Sequence, residues 1–292
     1  MSNFRIACCQ ITWKDVPEEQ MLAEIQQAGY EGVPAGPGKG LTTQQVLDHL
    51  AKFDLKPVPS YLGANFWLKE AEAPALERAE RMAVFAREAG CTELFVASGG
   101  FANYVTARGL NRSQTAGNVL PEDGMTDEEY DQCAATLNRV GEITLKEGVR
   151  SCVHNHGGTP LETREEIDRL FSLVDRELVF MGPDTGHLAL GGVDVVEFFR
   201  DYADSIKTVH LKDVDLPVLE EGRAQGWEYW TFKEKGVWTE LGQGFIDFPA
   251  MLEILKAVDY DGWLVVETDV TQLPTAEESA VVSRNYLRSL GL

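Results

Sequence analysis

Short apolar runs alternate with amphipathic stretches along the whole chain. FRIACCQI (4–11) reads as a buried strand, and PEEQMLAEIQQAG (17–29) reads as a helix closing on Gly29. The unit recurs as GVPAG (32–36) with TTQQVLDHLAKF (42–53), and as KPVPSYL (56–62) with APALERAERMAVFAREAG (73–90). TELFVAS (92–98) then leads to DEEYDQCAATLNRVGEITLKEG (127–148). The second half continues with VRSCVHNH (149–156) and TREEIDRLFSLV (163–174), then LVFMGPDTG (178–186) and VDVVEFFRDYA (193–203). SIKTVHLKD (205–213) precedes DFPAMLEILKAV (247–258), and WLVVETD (263–269) precedes TAEESAVVSRNYLRSL (275–290).

Eight strand–helix units of about 36 residues predict a single (β/α)8 TIM barrel over residues 1–292. Near-continuous apolar strands suit a parallel sheet covered by helices. An open doubly wound sheet is the main rival, but no Gly-rich phosphate turn follows the first strand. Thr126 ahead of Glu129, and Thr163 ahead of Glu166, are capping-box spacings. Two βα connections are long, 99–126 after strand four and 213–246 after strand seven. The second carries Trp227, Tyr229, Trp230, Phe232 and Trp238, which fit packing on the barrel rim at least as well as substrate contact.

Composition narrows the function. A hydrophobic content of 44% supports a large core, and a net charge of −21 repels phosphate backbones and anionic membranes. Nucleic acid and membrane are therefore not expected partners. Cys8, Cys9, Cys91, Cys133 and Cys152 are odd in number and show no paired spacing, so no disulfide framework is expected, and Cys8, Cys9 and Cys152 read as buried thiols. With no basic-then-apolar leader and no spanning apolar run, a reducing cytoplasm is the expected setting. A homo-oligomer is left open.

Of the five histidines, His154, His156, His187 and His210 fall at or just past the ends of predicted strands five, six and seven, whereas His49 lies in a helix. Strand ends of a barrel converge on one mouth. Asp184 ends strand six and Glu267 ends strand eight, so His154, Asp184, His210 and Glu267 form a candidate site for a divalent metal. A mixed imidazole and carboxylate set suits Mn²⁺, Co²⁺, Zn²⁺ or Fe²⁺ better than the oxygen cages of Ca²⁺ and Mg²⁺. His154 and His156, His210 and Lys212, and Glu267 and Asp269 are each two apart, so both members can point inward, one to metal and one to substrate. Lys212 reads equally as an ion-pair partner of Asp213 or Asp184.

HNHGGTPLETREEID (154–168), PDTGHLALGG (183–192), VHLKD (209–213) and WLVVETD (263–269) resemble the xylose-isomerase-like barrel superfamily of sugar isomerases, epimerases and dehydratases. The opening ITWKDVPEEQMLAEIQQAGYEGV, the insertion HLKDVDLPVLEEGRAQGW and GQGFIDFPAMLEIL resemble its inosose dehydratases. The resemblance implies Mn²⁺ or Co²⁺ ahead of Mg²⁺, Zn²⁺ or Fe²⁺, held by His154, Asp184, His210 and Glu267. It places His156, His187, Lys212 and Trp13 against a small polyhydroxylated ketone. His154 stands where relatives carry a glutamate, and Ala35 where inosose dehydratases carry one.

The expected chemistry is enolisation next to a metal-bound ketone. Glu267 is the first candidate for the base and His156 the second, with His187, His156 or Lys212 protonating the leaving hydroxyl. A single competent carboxylate favours β-elimination of water from a keto-inositol or keto-sugar, a lyase. The alternatives are a ketose epimerase or isomerase, a 3-keto-glycoside lyase, and a non-catalytic barrel subunit. An apurinic endonuclease on the same fold is disfavoured by the acidity.

Overall fold

A computed structural model describes residues 4–38 and 40–292. The barrel strands are β1 (Arg5–Cys8), β2 (Gly32–Pro34), β3 (Lys56–Val58 continuing as Tyr61–Ala64), β4 (Glu93–Ser98), β5 (Arg150–His154), β6 (Val179–Met181), β7 (Val209–Leu211) and β8 (Trp263–Val266). β1 pairs in parallel with both β2 and β8, β2 with the first piece of β3, and the second piece of β3 with β4. β4, β5 and β6 pair in sequence, and β8 pairs with β7. Parallel bridges Met181–Ile206 and Asp184–His210 join β6 to β7 and close the ring. β3 breaks at Pro59 and Ser60, where proline offers no N–H to the ladder.

Alternation along the strands separates two apolar layers. Ala7, Val58, Phe95, Trp263 and Val265 form a small cluster of their own, while their neighbours Ile6, Cys8, Leu94, Val96 and Leu264 join the large cluster that the helices cover. Helices follow every strand, and both expected capping boxes form at Thr126 with Glu129 and at Thr163 with Glu166. The helix after β3 begins at Lys69, before the expected start, and carries Pro74 internally. Among the described residues, no helix is long and apolar enough to cross a membrane.

The two long connections are ordered by buried charge. Arg112, fully buried in the first, donates to both Glu166 oxygens at 2.8 and 3.1 Å. Glu162 accepts the Gly117 and Gly158 N–H groups at 2.6 Å each, tying that connection to the loop after β5. The second connection contains helices Leu216–Gln225 and Tyr229–Glu234, and its base is a ribbon of Asp213–Val214 with Trp238–Thr239. The Asp213 carboxylate accepts N–H groups of Val214, Gly242, Gly244 and Ile246. A Cβ at Gly244 would lie 2.2 Å from Asp213 Oδ1, so only glycine allows that approach.

Candidate active site

The strand ends of β5 to β8 and the bridge residues after β6 converge on one side of the ring. His154 ends β5, Asp184 follows β6, His210 sits within β7, and Glu267 follows β8; all four are buried. Asp184 does two jobs with its two oxygens. Oδ1 accepts the His187 N–H at 3.0 Å and caps the short helix Thr185–Leu190, an element the strand-end reading did not foresee. Oδ2 is buried without a hydrogen-bond partner, as is His210 Nδ1, and the two stand 3.8 Å apart. Asn155 brackets Asp184, its amide oxygen accepting the Asp184 N–H and its amide nitrogen donating to the Asp184 carbonyl.

His154 Nδ1 lies 3.3 Å from the Gly182 carbonyl, which can only accept, so the ring proton sits there and Nε2 keeps its lone pair. A ligand imidazole is held in this way by its second nitrogen. Donor atoms of His154, Asp184 and His210 lie within 4.8 Å of one another, and Glu267 Oε2 joins at 3.5 Å from His210 Nδ1. Two orphaned buried donors beside two further ones fit a divalent cation. A second triad, Asp184, His187 and Glu267, is also close enough. There the Lys212 ammonium already stands among the donors, 2.7 Å from Glu267 Oε1, 3.4 Å from Asp184 Oδ2 and 3.2 Å from His187 Nε2. The first set replaces the Lys212-bonded His187 with His154 and His210, whose Nδ1 has no hydrogen-bond partner, and is therefore the better fit for an ion.

Lys212 thus pairs with Asp184, Glu267 and Asp269, and not with Asp213. Burial alone would lower its pKa, but the three carboxylates hold it well above the usual lysine value. Burial would raise Glu267, yet the closer Lys212 and His210 draw it well below the usual range. Asp184, farther from the ammonium, is pushed up to about 7 by burial.

A cavity of about 360 Å³ opens over this floor, lined by His154, His156, His210, Glu267 and Asp269. His156 is held by its Nδ1, 2.8 Å from the Gly157 carbonyl, and stacks on His187 at a centroid distance of 3.7 Å. His187 and Lys212 lie behind the lining, fully buried, so neither of these two expected substrate contacts faces the cavity. Trp13 is not brought to the mouth either: it packs in the outer core, with Nε1 donating to Glu24 at 2.7 Å. Cys9, expected to be buried, is partly exposed and lines the cavity.

The connection after β7 adds groups that strand-end reasoning passed over. Lys233 lines the cavity and pairs with Asp269 Oδ2 at 3.1 Å, while the Tyr229 hydroxyl reaches the same oxygen at 3.3 Å. Tyr61, from the second piece of β3, also lines it. Lys233 sits in WTFKEKG with no motif to mark it; the aromatic density around it was the only signal.

Residues 22–290 match the family model described as xylose isomerase-like TIM barrel. The chain belongs to that family. It is 31% identical over 278 residues to an inosose dehydratase of Geobacillus kaustophilus (strain HTA426), covering 92% of this chain and 88% of that protein. Among solved structures, the apo 3-keto-D-glucoside 4-epimerase of E. coli superposes with a TM-score of 0.72 at 18% identity, covering 98% of this chain and all of that one (100%). An IolI protein with a binding zinc atom gives a TM-score of 0.71 at 15% identity, with 98% of each chain covered. At these low identities the two structures bear on the fold, and the barrel matches theirs from end to end.

Proposed function

We propose that the protein is a divalent-metal-dependent carbon–oxygen lyase that eliminates water from a keto-inositol or keto-sugar. The observation that carries this reading is the pair of orphaned buried donors, Asp184 Oδ2 and His210 Nδ1, beside a cavity that presents one carboxylate able to act as base. His154, Asp184, His210 and Glu267 would hold the ion; the mixed imidazole and carboxylate set favours Mn²⁺, Co²⁺, Zn²⁺ or Fe²⁺ over Mg²⁺, and the resemblance to inosose dehydratases puts Mn²⁺ or Co²⁺ first. A cation there supplies Lewis-acid stabilisation of an enolate. The inosose dehydratase relative supports elimination as the outcome.

Glu267 takes the α-proton on Oε2, since Lys212 hydrogen-bonds its Oε1, whereas both oxygens of the other lining carboxylate, Asp269, are engaged, Oδ1 by Lys212 and Oδ2 by Lys233 and Tyr229. The C–O bond then breaks, and the departing hydroxide takes a proton from Lys233, the ammonium that faces the cavity. The proton on Glu267 returns to Lys233 through solvent. Lys212 holds Glu267 and Asp184 in place from behind. The five free thiols suit a reducing cytoplasm.

Purified protein with Mn²⁺ and 2-keto-myo-inositol should yield an ultraviolet-absorbing enone or dione. No product under those conditions removes that substrate. One observation favours an epimerase as the second reading. His156 Nδ1 donates to Gly157, which leaves Nε2 as a base within the cavity. Deuterium uptake from solvent at the α-carbon, without loss of water, would select that reading.

A further inference from the structure

The cavity has two unlike halves. Its floor is imidazole and carboxylate, as a keto-polyol requires. Its other walls are mainly apolar, with Ile11, Pro34, Pro59, Phe101 and Trp230, and their polar groups are the Lys233 ammonium and the Tyr61 and Tyr229 hydroxyls, two of which, Lys233 and Tyr229, already contact Asp269. Hydroxyls of a bare polyol would find few hydrogen-bond partners there, and an unpaired polar group that loses its water is costly.

The wall is built from two separate connections. Phe101, just after β4, meets Tyr229 and Trp230 of the helix after β7 at centroid distances of 5.2 and 5.6 Å. The Phe101 and Trp230 rings are 32° from parallel, and Phe101 and Tyr229 also flank His156 at 5.0 and 5.5 Å. The aromatic surface therefore begins at the edge of the reactive floor. Trp230 is 50% exposed, Tyr61 42% and Ile11 40%, three of the eight exposed large hydrophobic side chains among the described residues, and all three line this mouth. Large apolar groups left in water around one opening mark a surface that a ligand covers. A volume near 360 Å³ also falls in the range that holds drug-sized ligands.

We infer that the preferred substrate is a keto-polyol carrying a flat, apolar substituent, seated against Trp230 and Phe101, ahead of a bare keto-inositol. The placement of the polyol rests on the lyase reading above; the aromatic seat does not. The probes are therefore glycosides with no ketone, which cannot enolise: phenyl β-D-glucopyranoside and methyl β-D-glucopyranoside, titrated by calorimetry and tryptophan fluorescence. The phenyl glycoside should bind at least about tenfold more tightly. Trp230→Ala and Phe101→Ala should each shrink that ratio to about twofold or less, with unchanged circular dichroism. Equal affinities would overturn the inference, as would a ratio that survives both substitutions. A mouth closed by a second copy of the chain would also overturn it, seen as a dimer by sedimentation that neither glycoside enters. If the phenyl preference holds while 2-keto-myo-inositol and a keto-glucoside of phenol both go unconverted, the lyase reading fails and the seat stands.

Discussion

Lys212→Met replaces a buried ammonium with a neutral chain of similar length. Lys212 stands 2.7 Å from Glu267, 3.2 Å from Asp269 and 3.4 Å from Asp184, and Asp269 alone has a second cation, Lys233. Removing one partner of a buried ion pair costs about 3–5 kcal/mol, because the remaining charge is left without compensation. In EDTA at pH 8 the variant should lose stability of about that size, read from the urea midpoint at unchanged slope. A divalent ion next to Asp184 and Glu267 replaces part of the missing charge. Saturating Mn²⁺, at about one hundred times its dissociation constant, adds about 2.7 kcal/mol to any protein that binds it only when folded. At one Mn²⁺ concentration common to both, the variant should gain more than the parent, because its two free carboxylates draw the ion more strongly. Without metal it should also gain stability on acidification, since Asp184 and Glu267 can then be buried neutral. A loss under about 1 kcal/mol in EDTA, with no added gain from Mn²⁺, would refute the account in which Lys212 neutralises the two ligand carboxylates.

Three further outcomes are expected. Asp184→Asn should lower Mn²⁺ affinity at least about a hundredfold by calorimetry, because it removes the orphaned Oδ2 charge while an amide oxygen can still cap the helix. Burial raises the Glu162 carboxyl to about 7, above its ordinary value of 4.5, so the folded state holds an extra proton between those limits. Stability from this group therefore rises as pH falls from about 7 towards 4.5, by up to about 3 kcal/mol, and Glu162→Gln should flatten that slope in urea midpoints taken across the window. His154→Glu should keep metal binding and increase solvent deuterium exchange at the α-carbon relative to loss of water; an unchanged metal affinity and product ratio would show that His154 is not a ligand.

The barrel was legible because each buried strand is a compact apolar run and many of the helices start on a side chain that caps them, as at Thr126 and Thr163. Strand ends were less so. The run 149–156 gives a strand only to His154, because Asn155 turns its amide onto Asp184 and the His156 N–H reaches the Leu161 carbonyl. The ligand candidates were legible because they lie at or close to the ends of strands, and the fold brings strand ends together whatever the loops do. Trp13 was misplaced since nothing local distinguishes a rim tryptophan from one that turns into the outer core to meet Glu24. Lys233 was passed over for the opposite reason: it reaches the mouth only because Tyr229–Glu234 folds back across the barrel, a contact spanning elements far apart in sequence.

Asp269 is held from two sides, by Lys212 of the barrel and by Lys233 and Tyr229 of the connection after β7. That connection is also fastened at its root by the Asp213 carboxylate. Anyone recombining loops among barrels of this kind should therefore treat residues 213–246 and position 269 as one transplantable piece. Moving the segment alone into a host with another residue at 269 would deliver Lys233 without its anchor, and leaving 269 behind in a shortened barrel would strand a carboxylate with Lys212 as the one left of these three partners.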